Sequence, residues 1–480
     1  MQGSWLDRFL RLFTDVKPGE GGTALLMFVN VFLILCAYYF LKPLREGWIV
    51  VSPIAGLEKM EVKAYTSFGQ ALLLVFVVTW YSKLVNRWPR GKLISLVTLF
   101  CMSNMVLFWF LQPDFFFRNL PYTGVAFYLW VGIFGVFVVA QFWAFAADVY
   151  NDEEGRRLIP VIAIGATAGA AMGAAITEFL VGGGLVNLIE GLGVEPLAEL
   201  ARRVFVRKSV LLLALVPLGI SIVLTRVVDR RRALTAATPA PTQPTEKQEK
   251  ASMLGGISVV TGSRYLMAVA IITILLNWVN TNGENLLTRV IQENLAADAA
   301  AQGITSPEAL RDFTIDGTTA FYGNFYTWVN GVALVLQALV ASRLLKYGGF
   351  GAILMLLPVI ALISYSAMAI VPILGVVKLM KVAENSTDYS INNTARHVLW
   401  LPVASDVKFK GKPTIDSLFA RVGDGMAALT VLIGVQLLDL TTAAFFAFSV
   451  VLVLFWIYYG LRVVREHRRL CEAAGIADAP

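Results

Sequence analysis

Runs of about 20 apolar residues, broken by short polar segments, recur along the whole chain. Each has the length of a helix that crosses a bilayer core of roughly 30 Å. The pattern predicts twelve helices, near 22–41, 66–86, 91–111, 121–147, 158–180, 209–228, 264–286, 320–343, 349–371, 373–396, 415–438 and 441–463. The last two are divided only by Asp439, which interrupts an otherwise apolar run. In 233–251 (ALTAATPAPTQPTEKQEKA) the pattern stops, and Pro, Thr, Ala and charge without periodicity read as a flexible linker. It follows the sixth predicted helix. The expectation is an all-α membrane protein with an N-terminal six-helix half (1–228), a linker and lead-in (229–263), and a C-terminal six-helix half with a short tail (264–480).

The polar positions inside these runs say more than the apolar ones. Val371–Pro402 carries Lys378, Lys381, Glu384, Asp388 and Arg396 within an apolar-length span. A charge at bilayer depth costs roughly 2.5–3.5 kcal/mol even on insertion scales. At about 100° per residue, Lys378, Lys381, Asn385, Asp388, Asn392 and Arg396 fall within about 80° of one another. One charged face along a membrane helix predicts a border to a wet cavity, and so a polar cargo.

Composition agrees. A 57% hydrophobic, 15% charged chain with mean hydropathy +0.68 is not an ordinary soluble domain. The net charge of +7 is accounted for by topology. Basic clusters (Arg8, Arg11 and Lys17; Lys83 to Lys92; Arg156 and Arg157; Arg226 to Arg232; Arg343 and Lys346; Lys408 to Lys412; Arg462 to Arg469) all fall on one side of twelve spans. The positive-inside rule makes that side the cytoplasm, with both termini inside. The basic pI therefore does not call for nucleic acid. Loop 293–318 is read as external and acidic, and loop 181–208 as external despite its basic stretch 198–208, with room for a short interfacial helix. Met1–Gly22 is polar and mixed, which predicts no cleaved signal peptide. Three scattered cysteines and two histidines give neither a disulfide framework nor a metal site, and no nucleophile–base pair stands out. A transporter without cofactor, acting as a monomer rather than an enzyme, is the expectation.

Several constellations fit that role. Lys42, Arg45 and Glu46 share a helical face, and apolar residues continue through Trp48–Val51, so the helix should run on and place these charges at depth. An anion-binding cluster, with Glu46 restraining Arg45, is favoured over snorkelling at the headgroups. Asp148, Arg156 and Arg157 flank a loop and are either solvated or parts of an inner gate. Gly165, Gly169 and Gly173, spaced at four, predict close helix packing. Glu284 stands among Asn277, Asn280, Asn282 and Asn285, as a structural pair with Arg289 or as a gating and coupling residue. Asp416, Arg421 and Asp424 are candidates for gate pairing, and Lys408, Lys410 and Lys412 for topological anchors.

These residues also carry a family likeness. Tyr39-x-x-Lys42-x-x-Arg45-Glu46, Phe142-Trp143-Ala-Phe-Ala, Arg157-Leu-Ile-Pro160 with Gly165, Asn282-Gly-Glu284-Asn and Tyr322-Gly-Asn324-Phe325 come in order along the chain. So do Tyr389-Ser390, Leu401-Pro402, Lys410-Gly-Lys412-Pro-Thr-Ile-Asp416 and Arg421-x-Gly423. The chain resembles the ATP/ADP translocase (nucleotide transporter) family of intracellular bacteria and plastids, a branch of the major facilitator group. The resemblance implies a twelve-helix nucleotide exchanger, with cations holding phosphates, aromatic residues near the base, and Arg45, Glu284 and Lys410 or Lys412 at transport-relevant positions. The chain departs from the family where Asp388 replaces a lysine before Tyr389-Ser390, where Arg396-His397 replaces Lys-Glu, and at Asn392-Asn393-Thr394. These exchange a cation for an acid and bear on which nucleotide is carried.

Together these readings predict an alternating-access carrier of the bacterial inner membrane for ATP/ADP or another anionic nucleotide. Lys42, Arg45, Lys378, Lys381, Asn385, Tyr389 and Arg396 are the substrate-binding candidates. Glu46, Asp148, Arg157, Glu284, Asp388, Asp416, Arg421 and Asp424 are the gating or coupling ones. A lipid or other amphiphilic anion on the same fold is the rival cargo, and a non-transporting scaffold or sensor the rival class.

Overall fold

The computed structural model describes residues 17, 20–85, 90–113, 116, 120, 122–194, 196–197, 207–235 and 253–473. The predicted anchors Arg8, Arg11 and Arg87, most of the linker and most of the basic segment 198–208 lie outside them. Among the described residues every regular element is helical: α1 (Gly21–Ile49), α2 (Lys59–Val85), α3 (Arg90–Phe110), α4 (Thr123–Val149), α5 (Asp152–Val181), α6 (Gly184–Gly191), α7 (Leu215–Thr235, preceded by the short helical turns Arg207–Ser209 and Val210–Leu213), α8 (Met253–Gly262), α9 (Arg264–Ala301), α10 (Pro307–Val335), α11 (Ala341–Ile370), α12 (Leu374–Thr387), α13 (Asn393–Val398), α14 (Ser405–Thr414), α15 (Ala420–Leu432) and α16 (Thr442–Ala473), with the wide turns named below. Nine segments among these residues are long and apolar enough to cross a membrane, one of them the 64-residue stretch Pro307–Ile370 that holds both α10 and α11.

The expected spans fall on helical segments, but 66–86 and 373–396 are not among the nine, so length and apolarity among the described residues do not reach the expected twelve. Three further differences stand out. The acidic stretch 293–318 is not a loop, because α9 runs to Ala301 and α10 begins at Pro307. Its sequence (QENLAADAAA, then PEALRDF) is polar but made of strong helix formers, so the helices outlast their apolar runs. Second, 373–396 is not one uniform helix. A wide π turn, Asp388–Asn392, separates α12 from α13. Such a turn inserts a residue and rotates everything after it, which breaks the single charged face that even 100° steps predict. Similar turns at Leu336–Val340, Ile415–Phe419 and Ile433–Leu437 interrupt the later helices. Third, the expected break at Asp439 is present, with that residue at φ 44°, between the turn ending at Leu437 and the start of α16. A further kink falls at Gly349 (φ 68°), a conformation that L side chains avoid.

The chain forms two compact units. One comprises Met1–Ile54, Leu73–Pro241 and Asp298–Gly331, and the other Ala55–Leu72, Thr242–Ala297 and Val332–Pro480. The first unit is organised around α1. Gly165, Gly169 and Gly173 of α5 face the backbone at Phe28, Phe32 and Cys36 of α1, where a Cβ on Gly165 would stand 2.8 Å from the Phe28 carbonyl oxygen. This close approach is what small residues at i+4 allow. Asn30 of α1 donates to Thr225 of α7 at 2.9 Å and accepts from Ser221 at 2.5 Å, so its buried amide is satisfied. Pro43 lies inside α1 and has no N–H for the Tyr39 carbonyl. The Thr177 hydroxyl of α5 lies 3.4 Å from that oxygen while donating to Gly173 at 3.0 Å. α1 therefore continues past its charges to Ile49, as Trp48–Val51 predicted.

The second unit packs α9 against α11, α12 and α15. Trp278 donates to Thr430 at 2.8 Å, and Asn282 to Ser449 of α16 at 2.9 Å.

Candidate functional site

Two groups of charged side chains stand out, one in each unit: the first on the long apolar helix α1, the second between the long helix α9 and the 14-residue helix α12. In the first unit, Lys42 and Glu46 are buried and Arg45 is half-buried on α1. The Lys42 ammonium lies 4.0 Å from the ring centre of Tyr326 on α10 and 4.9 Å from that of Tyr39. Arg45 stands 4.5 Å over the Tyr128 ring of α4, and its Nε donates to Glu46 Oε1 at 3.0 Å. Tyr39 meets Tyr326 edge to face at 5.6 Å, and Tyr38 meets Tyr39 at 5.4 Å. Beside them Asn324 donates to Glu178 of α5 at 2.6 Å, which fixes α10 against α5. A desolvated cation over an aromatic face is stabilised by about 2 kcal/mol. The cluster thus holds cations at depth among flat π surfaces, which is the pairing that a phosphate joined to a planar base would meet.

Near the start of the same unit, Arg157 grips both carboxylate oxygens of Glu20 at 2.9 and 3.0 Å, and Lys17 pairs with Glu153 at 2.7 Å. Burial works to raise the Glu20 carboxyl. The Arg157 hydrogen bond, the Lys17 backbone N–H that donates to Glu20 at 2.9 Å, and the charges of Arg157 and Lys17 outweigh this and hold Glu20 below its ordinary 4.5. Asn151 and Glu154 cap α5 reciprocally at 2.9 and 3.1 Å. Asp148 is half-buried at the end of α4.

In the second unit, the Lys381 ammonium is fully buried. It lies 2.8 Å from Glu384 Oε2, 3.0 Å from Asn280 Oδ1 and 4.0 Å from Glu284 Oε1. Asn385 donates to Glu284 Oε1 at 2.7 Å. Tyr365 of α11 donates to the Val279 carbonyl at 2.8 Å, with Glu384 Oε1 3.3 Å from the same hydroxyl. Gly283 makes room for this: a Cβ there would stand 3.0 Å from the Lys381 ammonium and overlap the Tyr365 hydroxyl. One turn on, Asp388 accepts from Asn392 at 2.6 Å and lies 3.8 Å from the exposed Arg396. Lys63 of α2 donates to Thr288 at 2.7 Å. Asp424 pairs with Arg421 at 2.7 Å and accepts from Thr281 at 2.8 Å. Lys378 is half-buried, and Tyr389, Lys410 and Asp416 are exposed.

Several partners were not evident in the sequence. Glu384 was visible as the i+3 neighbour of Lys381, and Asn280 as the residue one turn before Glu284. Tyr326, Tyr128, Tyr365 and Lys63 are brought in by tertiary packing and leave no local signal.

A family model described as the TLC ATP/ADP transporter matches residues 116–295 and 315–467. The ADP,ATP carrier protein 5 of Rickettsia felis is 21% identical and covers 97% of this chain and 98% of its own. The ADP,ATP carrier protein 1 of Chlamydia trachomatis is 20% identical, over 84% of this chain and 80% of its own. Among solved structures, the human organic anion transporter MFSD10 superposes with a TM-score of 0.55 at 12% identity, over 92% of this chain and 100% of that one. The nucleoside transporter NupG gives 0.52 at 12% identity, over 91% and 98%. These likenesses establish a major-facilitator type of fold.

Proposed function

We propose, for a chain that belongs to the TLC ATP/ADP transporter family, that it carries an anionic nucleotide across a bacterial inner membrane by alternating access, with both termini in the cytoplasm. One observation supports this above the others: Lys42 and Arg45 lie at depth on α1 against the rings of Tyr39, Tyr326 and Tyr128. Phosphate oxygens need cations and N–H donors, and a nucleobase needs aromatic faces to stack on. Both kinds of group meet within a few ångströms around α1, the cations on that helix and the rings on α1, α4 and α10.

Lys42 and Arg45 are assigned to the phosphates, with Glu46 fixing the Arg45 fork. Lys381 is already matched by Glu384 at 2.8 Å, so it reaches a substrate only if that pair opens. Lys378, Asn385, Tyr389 and Arg396 are assigned as secondary contacts, and Arg157 with Glu20, and Arg421 with Asp424, as pairs that open and close during the cycle.

The test is a thermal-shift screen of nucleotides on the purified protein, followed by exchange of labelled ATP and ADP in proteoliposomes. A ligand that binds the native state must raise its stability, by about 2.7 kcal/mol at a hundred times its Kd. A stabilising shift with one or more nucleotides and uptake of the same compounds are expected. Folded protein that shows neither with any nucleotide would overturn the reading.

A further inference from the structure

Gln141 lies well inside α4 and is 3% exposed. Neither its amide oxygen nor its amide nitrogen meets a hydrogen-bond partner among the described residues. Turning the amide over changes nothing, because both ends are in the same position. A buried polar group left in this way is costly, and in a protein interior it calls for a partner. The amide borders a small cavity of about 10 Å³, together with Thr98 of α3 and Ser221 and Thr225 of α7. Ile34 of α1 and Phe142 of α4 supply apolar wall. The space suits one water molecule and is far below what a nucleotide needs. Cavities with apolar walls alone stay dry, whereas those offering roughly two to four polar partners hold ordered water.

The bonds already made around the cavity decide which protons are left. Ser221 gives its hydroxyl proton to Asn30 of α1 at 2.5 Å, and Thr225 gives its own to the Ser221 carbonyl at 2.9 Å. Both hydroxyl oxygens keep a lone pair, Thr225 after accepting from Asn30 at 2.9 Å. On α7 the cavity therefore offers acceptors, which only a donor can use. Water has two protons. It gives one to a hydroxyl oxygen of α7, and either gives the other to the Gln141 oxygen or accepts from the Gln141 nitrogen. Thr98 lines the same space from α3 and supplies a further contact. Among the described residues no charged side chain lines the cavity, so a metal cation there would be a buried charge without a counterion.

We propose that this cavity binds one water molecule, which joins the Gln141 amide of α4 to hydroxyls of α3 and α7. Through Asn30 the network reaches α1, so four helices of the first unit share one buried set of hydrogen bonds. α1 and α4 are also the helices on which Arg45 meets Tyr128. The water thus helps to hold in register the two helices that make this contact. None of its ligands is assigned to the nucleotide, so the site stands independently of that reading.

A density map of the full-length protein in lipid nanodiscs, at a resolution that shows ordered water, tests this directly. One peak is expected within about 3.2 Å of the Gln141 amide and of a hydroxyl of Ser221, Thr225 or Thr98. An ordered Gln141 without such a peak, or an amide bonded directly to a protein group, would overturn the proposal. So would a peak with oxygen contacts of about 2.3–2.6 Å, which are the distances of a bound cation. A second measurement uses melting curves. Gln141→Leu and Thr98→Val each remove one ligand of the water, from different helices. Their joint effect on Tm should fall short of the sum of the single effects, because one water cannot be lost twice. Additive effects in folded protein would show that the two side chains share no ligand, and would overturn the proposal as well.

Discussion

The buried pair Lys381–Glu384 offers the sharpest test of how the second unit holds its charges. Glu384→Leu takes away the acceptor at 2.8 Å and leaves a fully buried ammonium with Asn280 at 3.0 Å and Glu284 at 4.0 Å. Removing one partner of a buried pair typically costs about 3–5 kcal/mol. Glu284 can move closer and recover part of this, so about 3 kcal/mol is expected. At about 2.1 cal/mol/K per residue, a 480-residue chain would lose about 3 °C in Tm, and more if its helices persist after melting and the entropy change is smaller. Lys381→Met should cost less, because a carboxylate can neutralise itself with a proton where a lysine must give one up. The double variant Glu384→Leu with Lys381→Met should be more stable than Glu384→Leu alone, since two apolar side chains replace two buried ions. Melting curves of the four proteins in one detergent give the coupling. Additive losses, or a Glu384→Leu protein that melts with the wild type, would refute the view that this lysine is a buried charge held by its neighbour.

Other outcomes follow from the first unit. Gly169→Leu should destabilise by about 1–3 kcal/mol, read as lower Tm and lower yield, because its side chain would enter the backbone of α1 at Phe32. Lys42→Met should weaken nucleotide-induced stabilisation about tenfold or more, with Tyr326→Leu giving a smaller loss, read as displaced thermal-shift titrations. The Glu20–Arg157 pair fixes the sign of an acid effect. Glu20 titrates below its unfolded value, so its contribution is complete above about pH 4.5 and disappears as the pH falls through the folded value. Glu20→Gln should therefore flatten the acid limb of stability against pH and lower stability near neutrality.

Much of the architecture could be read from the sequence because a bilayer allows few solutions. Twenty apolar residues leave the backbone no partner but itself, so the spans were visible without any tertiary information. The extension of α1 past Arg45 was also visible, since Trp48–Val51 are apolar beyond the charges. Asn294–Ala301 and Pro307–Thr319 look like loop in the sequence because hydropathy, rather than helix propensity, draws the boundaries there. The π turn at Asp388–Asn392 leaves no such signal. The turn packs against α11, and its one-residue slip means that even 100° steps misplace Arg396 relative to Lys381. In the site, the positions of the cations were legible but their partners were not. Nothing local to Lys42 announces Tyr326, and nothing local to Arg45 announces Tyr128.

The Lys42–Tyr326 contact also has a consequence for how the chain is made. The tyrosine is translated some 280 residues after the lysine, which at roughly 5–20 residues per second is an interval of about 14–56 s. Throughout that time α1 is complete and carries Lys42, Arg45 and Glu46 with the α10 ring not yet synthesised. Each such charge costs roughly 2.5–3.5 kcal/mol when a helix enters lipid alone. This helix is therefore poorly suited to wait in the bilayer, and its biogenesis requires the insertion machinery, or a water-facing tilt, to shelter those charges until α10 arrives.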